Sequence, residues 1–297
     1  MGAATTVAGS PVFTISSDAN TRTNDVAKTI VNAQYGSSSL GVLSVNMTNF
    51  YKSNVTSVHR TLIHAKETGH GYIFDRIDAT APSSQTMTQY HHYSLAGCGT
   101  PDSTSCIEFT PGAPGGSLTN TQTGAKLMSA FYGGAADTHD GNAGHGSYPA
   151  SNDKTFRVKL TAAGKSNSFY TIHRTSTNGT ATMPAITRST SASHEVFEIA
   201  DPSSPVVFIS APGGTNNLKG AVASTAHKGK AQLVVTGLAA GTYAVRLGGV
   251  PVPACGTLPV RPREHVLTCP AVPSGAVTVT ALGGARPPAT MDSRIRR

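Results

Sequence analysis

The chain has 297 residues with 31 Gly, 18 Pro and no Trp; only 13% of residues are charged, and the formal charge of +8 comes from 23 basic against 15 acidic side chains. That length accommodates two ordinary domains or one large all-β domain, and the composition is that of many short strands joined by turns rather than of long helices. No stretch approaches the roughly 20 apolar residues of a membrane-spanning helix, and basic residues are not interleaved with aromatics as single-strand binders require, so neither membrane nor nucleic acid is an expected partner.

Period-two alternation of Val, Ile, Thr and aromatic residues marks the strands in chain order. The predicted strands are residues 11–16, 25–33, 40–47, 55–64, 71–78, 86–93, 126–131, 154–160, 167–174, 194–199 and 205–210, then 218–224, 231–236, 242–247, 265–269 and 276–281. Turn signals such as GHG, APGG and LGG separate them. The pattern predicts an all-β fold, a large antiparallel β-sandwich of the supersandwich kind with a small C-terminal β subdomain. We expect the main sandwich over residues 1–210, interrupted by a long Gly, Ser, Thr, Asn and Asp-rich loop at 96–153. An accessory sheet is expected over 211–285 and a basic tail over 286–297. The opening MGAATTVAGSPVF lacks the basic start and apolar centre of a signal peptide, so a soluble chain is expected, with any export signal removed.

Four cysteines form two local pairs, Cys98 with Cys106 and Cys255 with Cys269, each bracketing a loop and neither forming a CxxC knuckle. Disulfides are the expected chemistry, which places the chain outside the cytoplasm, extracellular or periplasmic.

Residues 57–95, SVHRTLIHAKETGHGYIFDRIDATAPSSQTMTQYHHYSL, hold five of the 11 histidines. Strands 55–64 and 71–78 are expected to form a hairpin, and its register decides the chemistry. A four-residue loop sets Arg60 opposite Asp75 as an ion pair. A loop one residue longer sets His59 opposite Asp75, and the next strand then brings His91 or His92 alongside, so that His59, Asp75 and His91 are candidate ligands for zinc or another divalent metal. His91 and His92 must point to opposite faces. A second candidate is the loop ADTHDGNAGHGSYP, whose His139 and His145 lie among glycines. The sequence contains no GxSxG elbow, HExxH pair, Walker loop or strand-linked GxGxxG.

The segment HRTLIHAKETGHGYIFDRIDA followed by TMTQYHHYSL resembles the sheet portion of the heparinase II/III-like polysaccharide lyases, and FRVKLTAAGKSNSFYTIHRTSTNGTATMP, VVFISAPGG and LVVTGLAAGTYAVRLGGVPV extend the resemblance. It implies a secreted β-sandwich from an enzyme that binds and cleaves acidic, uronate-containing polysaccharide by β-elimination, with a general base taking the C5 proton and an acid protonating the leaving oxygen. By that resemblance His59, His91 and Tyr90 are catalytic candidates, and His59, Asp75 and His91 match a metal site in the sandwich. Arg60, Arg76, His92, His139 and His145 are candidates for binding the polysaccharide. The family's helical toroid has no counterpart in this sequence, so a helical domain or second chain is an expected partner. The alternatives are a non-catalytic carbohydrate-binding or adhesion module and a stand-alone hydrolase using the histidine cluster.

Overall fold

The computed structural model describes residues 12–15, 30–51, 55–67, 70–94, 106–112, 115–122, 125–138, 155–212 and 215–282. Among these residues the chain is predominantly β and contains no α-helix, and a turn of 3₁₀ helix lies at Thr48–Phe50. It divides into two compact units, Met1–Met183 and Pro184–Arg297.

The first unit contains β1 (Val12–Ile15), β2 (Ile30–Gly36), β3 (Leu40–Asn46), β4 (Ser57–Glu67), β5 (His70–Ser94), β6 (Ile107–Thr110), β7 (Gly115–Gln122), β8 (Ala125–Tyr132), β9 (Ala135–Thr138) and β10 (Thr155–Ser176). Their order is β2-β3-β4-β5-β10-β8-β7-β6, with β1 also on β5 and β9 on β10. The organising element is the ribbon of β5 and β10. Its pairing steps from Gly164↔Gln85 to Ser166↔Thr80, so Ala81, Pro82, Ser83 and Ser84 face Lys165 alone. Pro82 has no N–H for a ladder, and Gly164 sits at φ +154°, a conformation that suits glycine. An extra loop of chain on one strand bends and twists a ribbon, and here it folds the ribbon onto itself. The two limbs then bury their facing sides against one another. Met87, Tyr93, Val158 and Leu160 of one limb pack with Val58, Ile77, Ala79, Leu118, Phe131 and Phe169 of the other layer. Each such large apolar side chain contributes about 1.5–3 kcal/mol by leaving water. The crossing from β8 to β9 turns at Gly133, where φ is +91° and a Cβ would lie 1.9 Å from the carbonyl oxygen of Ser168.

The second unit uses the same device. It contains β11 (Ile186–Thr190), β12 (Glu195–Ile199), β13 (Val206–Ser210), β14 (Gly220–Thr236), β15 (Gly241–Leu247), β16 (Val250–Pro251), β17 (Thr257–Val260) and β18 (Val266–Ala281). The order is β11-β12-β13-β14-β18-β15-β16, with β17 on β15, and β13 runs parallel to β14. Between Thr225↔Gly275 and Lys230↔Pro273, residues 226–229 face Ser274 alone. The bend encloses a core of Val196, Val207, Ile209, Leu233, Val235, Tyr243, Val245, Leu267, Val277 and Val279. Cys255 and Cys269 are bonded to each other, as expected. Cys106 is also disulfide-bonded; Cys98 lies outside the described residues.

Several expectations are corrected by this architecture. The strands expected at 71–78 and 86–93 are one strand, as are 154–160 with 167–174, 218–224 with 231–236, and 265–269 with 276–281. Each gap in the pattern is a bulge or bend, which interrupts alternation without ending the strand. The segment 96–153, expected as a loop with one strand, carries β6, β7, β8 and β9. The boundary expected at 210 falls at 183, because β12 and β13 join the sheet of β14 and bury every residue they contain. Residues 286–297 lie outside the described residues.

Candidate functional site

The β4–β5 hairpin turns more tightly than either expected register, since Glu67 already pairs with His70. As a result Leu62 opposes Asp75, Arg60 opposes Ile77 and His59 opposes Asp78. Alternation then sends His59 to one face of the sheet and Asp75 to the other. The metal set of His59, Asp75 and His91 is therefore not brought together. Among the described residues no group of three His, Cys, Asp or Glu side chains is placed to hold a metal ion.

Asp75 faces the interior between the two limbs, 1% exposed. Arg60 reaches it diagonally across the strands and donates two hydrogen bonds, from Nε to Oδ1 at 2.9 Å and from Nη2 to Oδ2 at 2.8 Å. Buried Gln89 donates more weakly to the same carboxylate at 3.5 Å. Burial alone disfavours the guanidinium, but Asp75 outweighs it and holds the Arg60 pKa above its usual value.

His91 enters the same interior from the other limb, 2% exposed. Its Nε2 shares a 2.9 Å hydrogen bond with the Thr171 hydroxyl, and its ring lies 5.4 Å from Phe131 and 5.9 Å from the ring of His173. His173 in turn shares a 2.8 Å hydrogen bond at Nδ1 with the Ser129 hydroxyl. Burial first, then His173, Arg60 and His92, hold the His91 pKa far below the ordinary imidazole value. His173 is pushed down to about 4, chiefly by burial, with Asp75 opposing and Arg60 adding to the shift. Both rings are neutral at physiological pH. Buried Tyr93, 6.4 Å from the His173 ring, has its phenol pKa raised, mainly by burial. The assembly is a buried polar cluster within the core, in which Gln89 Oε1 and the Tyr93 hydroxyl have no hydrogen-bond partner among the described residues, and it places His91 in the interior and not at the surface.

The opposite face of the β4–β5 hairpin carries a second bidentate pair. Arg76, 1% exposed, donates from Nε and Nη2 to Asp78 at 2.7 and 2.9 Å. The Arg76 guanidinium also lies 5.1 Å from the centre of the Tyr170 ring. Such burial leaves Arg76 unsuited to gripping a surface ligand. His59 stands on this face with its Nδ1 3.2 Å from Asn32 Nδ2. Burial lowers its pKa, partly opposed by Asp78.

A further set of polar side chains, half-buried, lies on the side of the β5–β10 ribbon turned away from the core. Because Met87, Gln89, His91 and Tyr93 point inward, Tyr90 and His92 point outward. Tyr90 pairs with Lys159 and His92 with Arg157, so four side chains stand in two adjacent rows. Thr88 and Thr161 continue the rows with their hydroxyls 3.5 Å apart. Lys159 is 3.9 Å from Asp137 of β9, with side chains 35% and 62% exposed, a separation at which a surface pair contributes little. Tyr90 and His92 were expected at a site; Arg157 and Lys159 were not, although their alternation in FRVKL signals a shared face. His139 and His145 lie outside the described residues.

No family model matches the sequence, and no curated protein matches it. Solved structures show a distant structural likeness. Heparan sulfate lyase HepC from Pedobacter heparinus is 16% identical with a TM-score of 0.44, covering 63% of this chain and 28% of that one. A heparinase III is 9% identical with a TM-score of 0.45, covering 67% of this chain and 29% of that one. The chain thus spans less than a third of the length of these lyases.

Proposed function

We propose that the chain is an extracytoplasmic β-sandwich protein that binds an acidic polysaccharide along the outward side of the β5–β10 ribbon. The observation that carries this reading is the register itself, which sets Arg157 beside His92 and Lys159 beside Tyr90. Two cations on adjacent rows suit the repeated carboxylates or sulfates of an extended glycan, and arginine holds such groups with two parallel hydrogen bonds. The Tyr90 ring offers an apolar surface for a sugar face. The Cys255–Cys269 disulfide supports an oxidising address. A second reading, β-elimination, is favoured by Tyr90 and His92 sharing this face, since phenol and imidazole are side chains that remove and return protons.

The test is retention of purified protein on immobilised heparin, chondroitin sulfate and alginate. Arg157→Ala and Lys159→Ala are each expected to weaken binding about tenfold, the loss of one charge-assisted contact, and to reduce the dependence on salt. Wild-type protein that passes through all three matrices, or a double variant retained as well as wild type, ends the proposal. Incubation with the same polymers, followed by ultraviolet absorbance of unsaturated uronate ends, decides the second reading separately.

A further inference from the structure

Asn-x-Thr occurs three times, at Asn46-Met47-Thr48, Asn54-Val55-Thr56 and Asn178-Gly179-Thr180. This triplet is the acceptor signature for N-linked glycosylation when it stands on an accessible surface. Asn46 belongs to β3, where it pairs with His59 and its side-chain oxygen accepts from the Thr48 N–H at 2.9 Å. Asn54 lies outside the described residues. Asn178 is placed differently, in the turn between β10 and β11, and is exposed together with Thr180.

That turn is built from short-range contacts. The Asn178 N–H donates to Ser176 Oγ at 3.0 Å, and the Ala181 N–H donates to the Asn178 carbonyl at 3.1 Å. Asn178 Oδ1 accepts from both the Thr180 N–H, at 3.0 Å, and the Thr180 hydroxyl, at 2.8 Å. The side-chain oxygen is thereby engaged twice, and the hydroxyl polarises the carboxamide so that its N–H protons become more acidic. None of these contacts spans more than three residues, so the turn can form before either sheet closes. Gly179 at the middle position leaves no side chain beside the amide.

We propose that Asn178 is an N-glycosylation acceptor whenever the chain enters a secretory compartment that supplies a pyrophosphoryl-lipid oligosaccharide. The inference rests on the extracytoplasmic address proposed above. Asn178 Nδ2 bonds to the anomeric carbon of the sugar, and the carbon–oxygen bond to the pyrophosphate breaks with its electron pair leaving on phosphate. Nδ2 gives up one proton in the same exchange. The exposed position lets the glycan extend into solvent without displacing a packed side chain.

The test is secretion of the full chain from a eukaryotic host behind a supplied export signal, with an added control sequon on a flexible C-terminal extension. Intact mass, and peptide mapping for Asn-to-Asp conversion after enzymatic glycan release, report occupancy. The expected result is glycan at Asn178, abolished in Asn178→Gln and Thr180→Ala and kept in Thr180→Ser. An occupied control with an unmodified Asn178 overturns the inference. An unoccupied control in the recovered protein marks failure of export, and the same chain is then offered in vitro to membranes carrying the transferase, where an unmodified Asn178 overturns it equally.

Discussion

Replacing Arg60 by Ala is expected to destabilise the first unit by about 3–5 kcal/mol, the cost of leaving a buried charge without its partner. Asp75 is 1% exposed, and Arg60 supplies both of its short hydrogen bonds. What then remains is the 3.5 Å contact from Gln89, too long to compensate an uncovered carboxylate. The penalty arises from the unpaired charge and not from any large net gain of the pair. The double variant Arg60→Met, Asp75→Leu should therefore recover most of the loss. Hydrogen exchange read on peptides from β4, β5 and β10 confines the measurement to this unit. Equal destabilisation in single and double variants contradicts the assignment, because it makes apolar packing the source of the effect.

This pair shows where the sequence is legible. Residues 55–64 and 71–78 announce a hairpin, and an Arg60–Asp75 ion pair was one of its two expected outcomes. The register was not legible, because the expected loop of four residues, 66–69, is two residues longer than the one that forms once Glu67 pairs with His70, and a strand's chemistry depends on its parity. His91 and His92 had to face opposite ways, yet Met87, Gln89, Tyr93 and Thr86, Thr88, Tyr90 are too alike in polarity to tell which histidine points inward. That parity turns the expected catalytic His91 into a core residue and makes His92 the one turned outward. Continuity was hidden for a related reason. Pro82 and the serines after it read as a stop, whereas the ribbon only bends there, held by β10 on both sides of the bend. His173 and Ser129 escaped notice because each is an ordinary strand residue until the fold of the ribbon brings His91 over them. Arg157 and Lys159 are similar: their alternation is visible, but the neighbours that give it meaning come from a strand more than sixty residues earlier.

Acidification is expected to loosen the same unit through its two inward imidazoles. His91 meets Thr171 and His173 from β10 and Phe131 from β8, and feels the charges of Arg60 from β4 and His92 on its own strand, while Tyr93 lies against His173 and Asp75 is the anion of the group. His173 is lowered from 6.5 to about 4, and His91 is lowered strongly as well. A histidine whose folded pKa lies below its unfolded value takes up its proton more readily when unfolded. Its contribution to stability is complete above the unfolded pKa and is lost as pH falls towards the folded one. For His173 the window runs from about 6.5 down to about 4, and the shift corresponds to about 3 kcal/mol at the bottom of that window, an upper figure for a ring that is only half-buried. His91 adds in the same direction, since charging either ring places a cation near Arg60 and near the other imidazole. Exchange protection of β5 and β10 should therefore fall steadily between neutral pH and about pH 4, after correction for the intrinsic exchange rate. His173→Gln, which keeps a polar group near Ser129 but binds no proton, should flatten that slope while costing some stability at neutral pH. A variant with the wild-type slope, or a wild-type unit equally protected across the range, shows that these rings are not the groups that couple the fold to pH.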